Sequence, residues 1–393
     1  MNHNQIGFLS TYPPKACGIA TFTQDLAKSL DKYFQNPPVV IAINNKNIKY
    51  NDRVIMKIQQ QDRSAYKETA HILNHSSLKL IILEHEYGIF GGDCGEYILD
   101  FVDNLKLPLI TTLHTVLPSP LPKQLYILKK LGEKSSMIIT MANITKKMLE
   151  DIYDIPADKI AVIPHGVTLQ TQCLSSDELK AAFGFKNRYI ISTFGLLSPG
   201  KGLEYGIEAI AKIAPEYPNV LYLILGQTHP CIKETSGETY RKKLEDLVYK
   251  LNLKKNVKFI NRYLLKGEIA QYLSISDIYL TPYLDQNQAV SGTLAYATGY
   301  GKVIISTPYL YAQEILADEK GLLVNFADAD NIAEMIEIIL MDPAKRKSLE
   351  SKMLAFGKTM MWENVADIYA ALIQKIISKV CKESLVDNGK MER

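Results

Sequence analysis

The sequence predicts an α/β protein built on two doubly wound parallel sheets. Short, continuous apolar runs alternate with segments whose apolar residues recur at helical spacing, and this alternation extends over both halves of the chain. The length of 393 residues exceeds what one hydrophobic core usually serves, so we expect two domains. Each half also has a glycine-containing turn after its first apolar run, where sheets of this kind bind ligands.

In the first half, the apolar runs predict buried strands. The first run leads through the loop of residues 10–18 into a helix whose apolar face includes Ile19, Phe22 and Leu26. The predicted strands are residues 5–9, 39–43, 78–83, 109–112 and 137–141.

The second half repeats this alternation. Its predicted strands are residues 189–194, 220–225, 257–260, 278–281 and 303–305. The polar segment of residues 170–187 is interpreted as a linker, so we expect an N-terminal domain over residues 1–170 and a C-terminal domain over residues 188–360. The polar tail of residues 382–393 is expected to be disordered.

The most informative segment is residues 195–202, GLLSPGKG, between a predicted strand and a predicted helix. A glycine-rich turn at this place is expected to present unpaired backbone N–H groups at the positive end of the helix dipole. Lys201 adds a full positive charge. The segment therefore predicts a site for an anion, most plausibly a phosphate.

The same segment resembles a Walker A loop, the alternative interpretation. A nucleotide-hydrolysing loop of that type needs Ser or Thr directly after the Lys, because the hydroxyl holds magnesium. Gly202 stands at that position and offers no ligand to a metal. The residues therefore favour phosphate binding without this metal site.

Composition excludes several classes of function. The net charge is +3, and Lys plus Arg against Asp plus Glu number 19 against 18 in residues 1–185 and 26 against 24 beyond, so no basic half indicates nucleic acid or an anionic membrane. No apolar run approaches the roughly 18–20 residues that span a bilayer, and the N-terminus lacks the form of a signal peptide. We expect a cytoplasmic protein with reduced thiols; its cysteines are Cys17, Cys94, Cys173, Cys231 and Cys381.

The order of several short motifs resembles one known family. These motifs are Gly18 in the first turn, residues 112–114 (TLH), residues 163–167 (IPHGV), Gly195 with Lys201 and Gly202, and Trp362 with Val365 and Tyr369. In this order and spacing the chain resembles the retaining glycosyltransferases of family 4 over about nine-tenths of its length. The resemblance implies the GT-B fold of two facing Rossmann-like domains, with residues 361–381 as a helix that returns to the N-terminal domain.

The family transfers a sugar from a nucleoside diphosphate sugar with retention of the anomeric configuration. By resemblance, Gly18 and Ile19 present N–H groups to the diphosphate, Gly195 is a further donor-binding residue, and Lys201 neutralises the diphosphate as the leaving group gains charge. His114 is expected to hydrogen-bond the donor sugar. Arg262 and Tyr263 fall where the family holds the nucleotide base. His114 and Lys201 are thus the expected catalytic residues, with the nucleotide sugar as co-substrate and no metal or further cofactor.

The chain departs from the family at two places. Leu196 stands where the family usually has Arg, and residues 286–297 lack the usual pair of Glu. Gln286 or Gln288 would replace the first Glu. The resemblance therefore implies an atypical branch, in which further donor contacts come from Gln288, Ser291, Gly292, Thr293 and Glu314.

Other conspicuous residues have competing interpretations. Residues 84–92, EHEYGIFGG, follow a strand and suggest a metal site, a structural turn, or contact with donor or acceptor, where Glu86 would bind hydroxyls and Tyr87 would stack on a sugar. Asp328 and Asp330 match a metal-binding D-x-D pattern, but helix capping explains them and is preferred. His229 has two interpretations, contact with the donor or a purely structural role in its loop. Three tyrosines beside the expected donor loop are candidates for stacking on a sugar, namely Tyr283, Tyr309 and Tyr311. Trp362 is predicted to be a structural anchor.

The function that the sequence predicts is transfer of a hexose from a nucleoside diphosphate sugar to a hydroxyl acceptor, a sugar or glycan rather than a lipid. The expected partners are these two substrates, with no nucleic acid and no integral membrane segment. One alternative is a glycoside phosphorylase or nucleotide-sugar epimerase on the same fold. Another is a sugar-nucleotide-binding protein without catalysis.

Overall fold

The computed structural model describes residues 5–15, 17–45, 48–169 and 174–391, and the chain divides into two compact units. Unit 1 comprises Met1–Gly166 and Trp362–Arg393, and unit 2 comprises Val167–Met361. Each unit contains one sheet of parallel strands, most of them connected through helices, which confirms the predicted α/β class.

Unit 1 has a seven-stranded sheet. Its strands are β1 (Gln5–Ser10), β2 (Val39–Asn44), β3 (Val54–Gln59), β4 (Leu78–His85), β5 (Leu109–Leu113), β6 (Met137–Thr140) and β7 (Ile160–Val162). Its helices are α1 (Gly18–Leu30), α2 (Arg63–Asn74), α3 (Ile98–Asn104), α4 (Pro122–Lys134), α5 (Asn143–Asp151) and α15 (Trp362–Met391). The order of the strands is β3-β2-β1-β4-β5-β6-β7, so β4 and β5 lie side by side near the centre.

Unit 2 has a six-stranded sheet in the order β10-β9-β8-β11-β12-β13. Its strands are β8 (Tyr189–Phe194), β9 (Val220–Leu225), β10 (Val257–Ile260), β11 (Ile278–Thr281), β12 (Val303–Ser306) and β13 (Leu322–Leu323). Its helices are α6 (Ser176–Ala182), α7 (Leu203–Ile213), α8 (Pro230–Ser236), α9 (Thr239–Lys250), α10 (Lys266–Ile275), α11 (Gly292–Gly299), α12 (Leu310–Ile315), α13 (Ala329–Met341) and α14 (Pro343–Gly357).

The ten predicted strands are all present, with ends that move by at most two residues. The predictions missed β3, β7 and β13. In β3, partly exposed and exposed residues alternate along most of the strand, because it lies at the sheet edge and only one face is covered. The other two strands have only three and two residues, too few to produce a recognisable pattern.

Two segments differ from the sequence-based expectation. The expected linker contains helix α6, which belongs to unit 2. Lys180 on this helix forms an ion pair of 2.7 Å with the buried Asp277. The first four residues of the expected linker, 170–173, lie outside the described part of the chain. The expected disordered tail continues α15 as far as Met391. No proline interrupts residues 382–391, so each of these residues can supply the N–H group that a helix needs.

Among the helices formed by the described residues, none is both long enough and apolar enough to cross a bilayer. Cys17, Cys94 and Cys381 are free thiols, as predicted. Cys173 and the side chain of Cys231 lie outside the described part of the chain.

Candidate active site

The loop between β8 and α7 depends on its glycines. Gly195 has φ +132° and Gly202 has φ +57°, conformations that residues with a side chain rarely adopt. A Cβ on Gly202 would lie 2.2 Å from the carbonyl oxygen of Pro282. The loop therefore packs directly against the chain that follows β11, and this close approach fixes its path.

Several backbone N–H groups of this loop donate hydrogen bonds to acceptors within unit 2. The N–H of Gly195 donates to Leu225 O at 2.9 Å, and that of Leu197 donates to Gln227 O at 2.8 Å. The N–H of Leu203, the first residue of α7, donates to the Tyr240 hydroxyl at 3.2 Å. The prediction that this turn presents a set of unpaired amides is wrong for these residues, because neighbouring segments supply acceptors.

Lys201 provides the positive charge of the loop. Its Nζ lies 3.6 Å from the centroid of the Tyr283 ring, a cation–π contact, and none of the ion pairs among the described residues involves it. Tyr283 is fully buried and stacked on Tyr309. The ammonium therefore rests on a rigid aromatic surface and keeps its charge available to an anion.

A chain of hydroxyls continues from this aromatic surface. Tyr283 shares a hydrogen bond of 2.9 Å with Thr293, and Thr293 lies 3.2 Å from the Ser291 hydroxyl. Ser291 also caps α11 by accepting from the N–H of Leu294. A Cβ on Gly195 would be 3.3 Å from Thr293 Cγ2. Unit 2 thus brings the predicted residues Gly195, Lys201, Ser291 and Thr293 together, with Gly292 as the first residue of α11.

The other predicted donor residues of unit 2 have separate surroundings. The Gln288 side chain donates to Val290 O at 3.0 Å within its own loop. Arg262 and Tyr263 are exposed after β10, and Arg262 pairs with Glu268 at 2.5 Å. This partner lowers the pKa of Glu268. Glu314 lies half-buried on α12.

The structure also locates three further groups of residues that the sequence singled out. Asp328 caps α13 by accepting from the N–H of Asn331, and Asp330 pairs with Lys212, so the preferred capping interpretation is confirmed. The N–H of His229 donates to Leu197 O at 2.9 Å. Tyr309 and Tyr311 are fully buried, and neither ring offers a face to a sugar.

In unit 1, helix α1 begins at Gly18 directly after the loop that follows β1. In the described part of the chain, the side chain of its N-cap residue Cys17 makes no capping hydrogen bond, and the first turn carries no acid. Gly18 is exposed, and a Cβ there would meet nothing within 4 Å. The N–H groups of Gly18 and Ile19 thus lie at the positive end of an uncapped 13-residue helix.

His114 directly follows β5, and its Nε2 lies 2.8 Å from Glu84 Oε2 on β4. Glu84 is fully buried, and 9% of the His114 side chain is exposed. Burial raises the pKa of Glu84, whereas the hydrogen bond from His114 lowers it, and the net direction is upward. The pair therefore places a shared proton at the carboxyl end of the sheet.

An aromatic cluster supports His114 from α1 and α15. The Phe22 ring meets His114 edge-on at 4.9 Å, His165 at 5.2 Å and Trp362 at 5.1 Å. A Cβ on Gly166 would lie 2.2 Å from the Trp362 ring, so only glycine fits there. Trp362 is thus the structural anchor that was predicted. Burial lowers the pKa of His165 to about 4.

Residues 84–87 do not converge on one point. Glu84 and His85 project to opposite faces of β4, as the alternation of a strand predicts. His85 packs in the core against Tyr87 and Phe90, and burial lowers its pKa to about 3. Glu86 accepts from the Thr115 hydroxyl. Tyr87 is buried in the same core, which opposes the proposed stacking of its ring on a sugar.

Sequence reasoning missed two residues beside the predicted ones. Glu84 was considered as part of a metal site, a structural turn or a substrate contact, and its contact with His114 has no local sequence signal. Arg241 on α9 is buried, donates from Nη2 to Gly226 O at 2.8 Å and supports the loop after β9. Nothing in its helical surroundings distinguishes it from an ordinary surface arginine.

Two parallel sheets with polar side chains at their carboxyl ends define the Rossmann-like class of nucleotide-binding proteins. A family model for group 1 glycosyl transferases matches residues 175–353, and a model for glycosyltransferase family 4 matches residues 16–171. The chain belongs to these glycosyltransferases of family 4 and has the GT-B fold. It is a glycosyltransferase.

Relatives agree with this assignment. An uncharacterized glycosyltransferase of Methanocaldococcus jannaschii is 26% identical over 325 residues, which cover 75% of this chain and 79% of that protein. The alpha-monoglucosyldiacylglycerol synthase of Streptococcus pneumoniae is 20% identical over 92% of this chain and 84% of its own length.

Two solved structures show the same fold. HepE of Anabaena, in complex with UDP and glucose, has a TM-score of 0.77 at 18% identity and covers 95% of this chain and 100% of its own. Sucrose-phosphate synthase of Thermosynechococcus elongatus has a TM-score of 0.77 at 18% identity and covers 96% and 100%. At these identities the likeness establishes the fold.

Proposed function

We propose that this glycosyltransferase moves a hexose from a nucleoside diphosphate sugar to a hydroxyl of a sugar or glycan, with retention at the anomeric carbon. The observation that carries the proposal is Lys201. Its ammonium lies on the buried Tyr283 ring, beside the hydroxyls of Ser291 and Thr293. A fixed cation next to neutral hydroxyls suits a diphosphate leaving group, whose charge grows as the glycosidic bond breaks.

Unit 1 supplies complementary groups in this proposal. The uncapped N-terminus of α1 at Gly18 suits a phosphate oxygen, and His114 suits an oxygen of the donor sugar.

The first donor to test is a UDP-sugar, because HepE was solved with UDP and with UDP-glucose. A thermal-shift screen with UDP-, GDP- and ADP-hexoses identifies the base, since a ligand at 100 times its Kd stabilises the folded state by about 2.7 kcal/mol. Incubation of the stabilising donor with an oligosaccharide or with diacylglycerol then identifies the acceptor class. Nuclear magnetic resonance of the product gives its anomeric configuration.

The expected result is phosphate-independent release of nucleoside diphosphate and a retained anomeric configuration in a glycan product. Activity that requires inorganic phosphate would instead indicate a phosphorylase. An inverted product would contradict the proposed stereochemistry, and a lipid product would contradict the proposed acceptor.

A further inference from the structure

The carboxyl group of Glu84 is fully buried, and the side chains of His114 and Thr112 are the hydrogen-bonding groups that lower its pKa against the effect of burial. Its Oε2 lies 2.8 Å from Nε2 of His114, while Oε1 has no hydrogen-bond partner among the described residues. The register of the sheet creates this contact, because Glu84 on β4 pairs with Thr112 on β5, two residues before His114. The backbone ladder therefore holds the two side chains together.

The number of protons on such a pair is restricted by burial. A lone buried carboxylate is costly, so the pair is most stable when its net charge is zero. Two zero-charge forms exist: an ionised Glu84 with an imidazolium, or a protonated Glu84 with a neutral imidazole. In the first form both ring nitrogens carry hydrogen, and in the second Nε2 accepts from the carboxyl group, so the ring hydrogen is on Nδ1. Both forms leave Nδ1 of His114 protonated.

The neighbouring groups do not supply a different charge. Burial lowers the pKa of His85 to about 3 and of His165 to about 4, so both rings are neutral near pH 7. Burial also raises the pKa of Tyr369, whose hydroxyl lies 3.2 Å from Thr112 Oγ1, and this phenol stays protonated. Glu86 is engaged by Thr115. Among these described neighbours, Glu84 is therefore the group that sets the protonation of His114.

We propose that Glu84 is a positioning residue that keeps a proton on Nδ1 of His114, so that His114 acts as an obligate hydrogen-bond donor to a sugar oxygen of the donor substrate. The ligand part of this statement rests on the proposed function. The proton part stands on the geometry of the pair alone. A structural role for Glu84 would need only a side chain of the same shape.

The proton part is tested on the full chain labelled with ¹⁵N-histidine. Protonated and unprotonated ring nitrogens differ widely in ¹⁵N shift, and the His114→Gln spectrum identifies the signals of His114. Wild-type Nδ1 is expected to give the shift of a protonated ring nitrogen at pH 7, because both zero-charge forms of the pair leave its hydrogen in place. In Glu84→Gln the amide can accept from Nε2–H as well as donate to Nε2, so both neutral tautomers are expected and the Nδ1 signal moves part of the way toward the unprotonated value. An unprotonated wild-type Nδ1, or identical Nδ1 shifts in both proteins, would overturn the proposal.

The ligand part is tested by kinetics on the same variants. Glu84→Gln is expected to lower kcat/KM for the donor about 10- to 100-fold, the effect of losing one hydrogen bond from a charged group. Asp100→Asn, the same exchange at the exposed ion pair with Arg63, is the control and is expected to retain wild-type kinetics. Wild-type kinetics in Glu84→Gln would overturn the ligand part. Absence of transfer by the wild type would reject the proposed function and leave the ¹⁵N result valid.

Discussion

The Lys201 ammonium lies 3.6 Å from the ring centroid of Tyr283, and the Tyr283 hydroxyl shares a hydrogen bond with the Thr293 hydroxyl. A lysine side chain loses considerable rotamer entropy when it is held in one position. The aromatic face lowers that cost by attracting the ammonium before a ligand arrives. A charge placed in advance stabilises a transition state more effectively than one that must reorganise.

We predict that Lys201→Ala lowers kcat by about two orders of magnitude, because one preorganised charge is removed. Steady-state turnover with the donor identified by thermal shift measures this effect. Lys212→Ala removes an exposed lysine that pairs with Asp330 on the surface of unit 2 and is the matched control. Turnover of Lys201→Ala at the wild-type rate would show that the loop does not hold the leaving group.

The loop between β8 and α7 has glycines at positions 200 and 202, and only position 202 is expected to require glycine. Gly202→Ala combines φ +57° with a Cβ 2.2 Å from Pro282 O, so we predict a loss of about 1–3 kcal/mol in the free energy of unfolding and weaker donor binding. At Gly200 a Cβ would meet nothing within 4 Å, and Gly200→Ala is expected to be nearly neutral. Urea unfolding of both variants tests the difference. Equal midpoints would mean that the loop tolerates a side chain at both places.

The sequence predicted the central strands well because they are buried on both faces and read as continuous apolar runs. It missed β3 at the edge of the sheet, where one exposed face breaks the run. His114 and Lys201 could be selected because they follow strand ends, where parallel sheets bind ligands. Local pattern was sufficient for these features.

Local sequence pattern could not predict contacts between segments that are distant in the chain. Glu84 reaches His114 across 30 positions because β4 and β5 pair in one particular register, which no local pattern specifies. The loop amides were expected to be unpaired because their acceptors lie elsewhere in the chain: the Leu203 N–H is bonded to Tyr240, 37 residues away. A prediction from local pattern identifies residue types near an edge, whereas tertiary packing decides which polar groups remain free.

The motif around Gly166 makes a separate prediction about stability. A Cβ on Gly166 would lie 2.2 Å from the Trp362 ring, which is itself buried against Phe22. Gly166→Ala is therefore expected to lower the free energy of unfolding by about 1–3 kcal/mol through overpacking. Gly88→Ala is the control, since a Cβ there would meet nothing within 4 Å. A neutral Gly166→Ala would show that Trp362 is not held against this position.

The buried histidine of β4 should make stability depend on pH. Burial lowers the pKa of His85 to about 3 in the folded protein, against about 6.5 in an unfolded chain. Between these values the unfolded state binds more protons, so the free energy of unfolding rises with pH and the contribution is fully present above about pH 6.5.

His85→Phe removes this titration and retains an aromatic ring beside Phe90. Between about pH 4 and pH 6, the plot of unfolding free energy against pH is expected to be shallower than that of the wild type by about 1.4 kcal/mol per pH unit. Urea titrations at several pH values provide the slopes, and the two curves should run parallel above pH 7, which is the internal control. Equal slopes below pH 6 would mean that His85 is protonated in the folded state, and burial would then not control its charge.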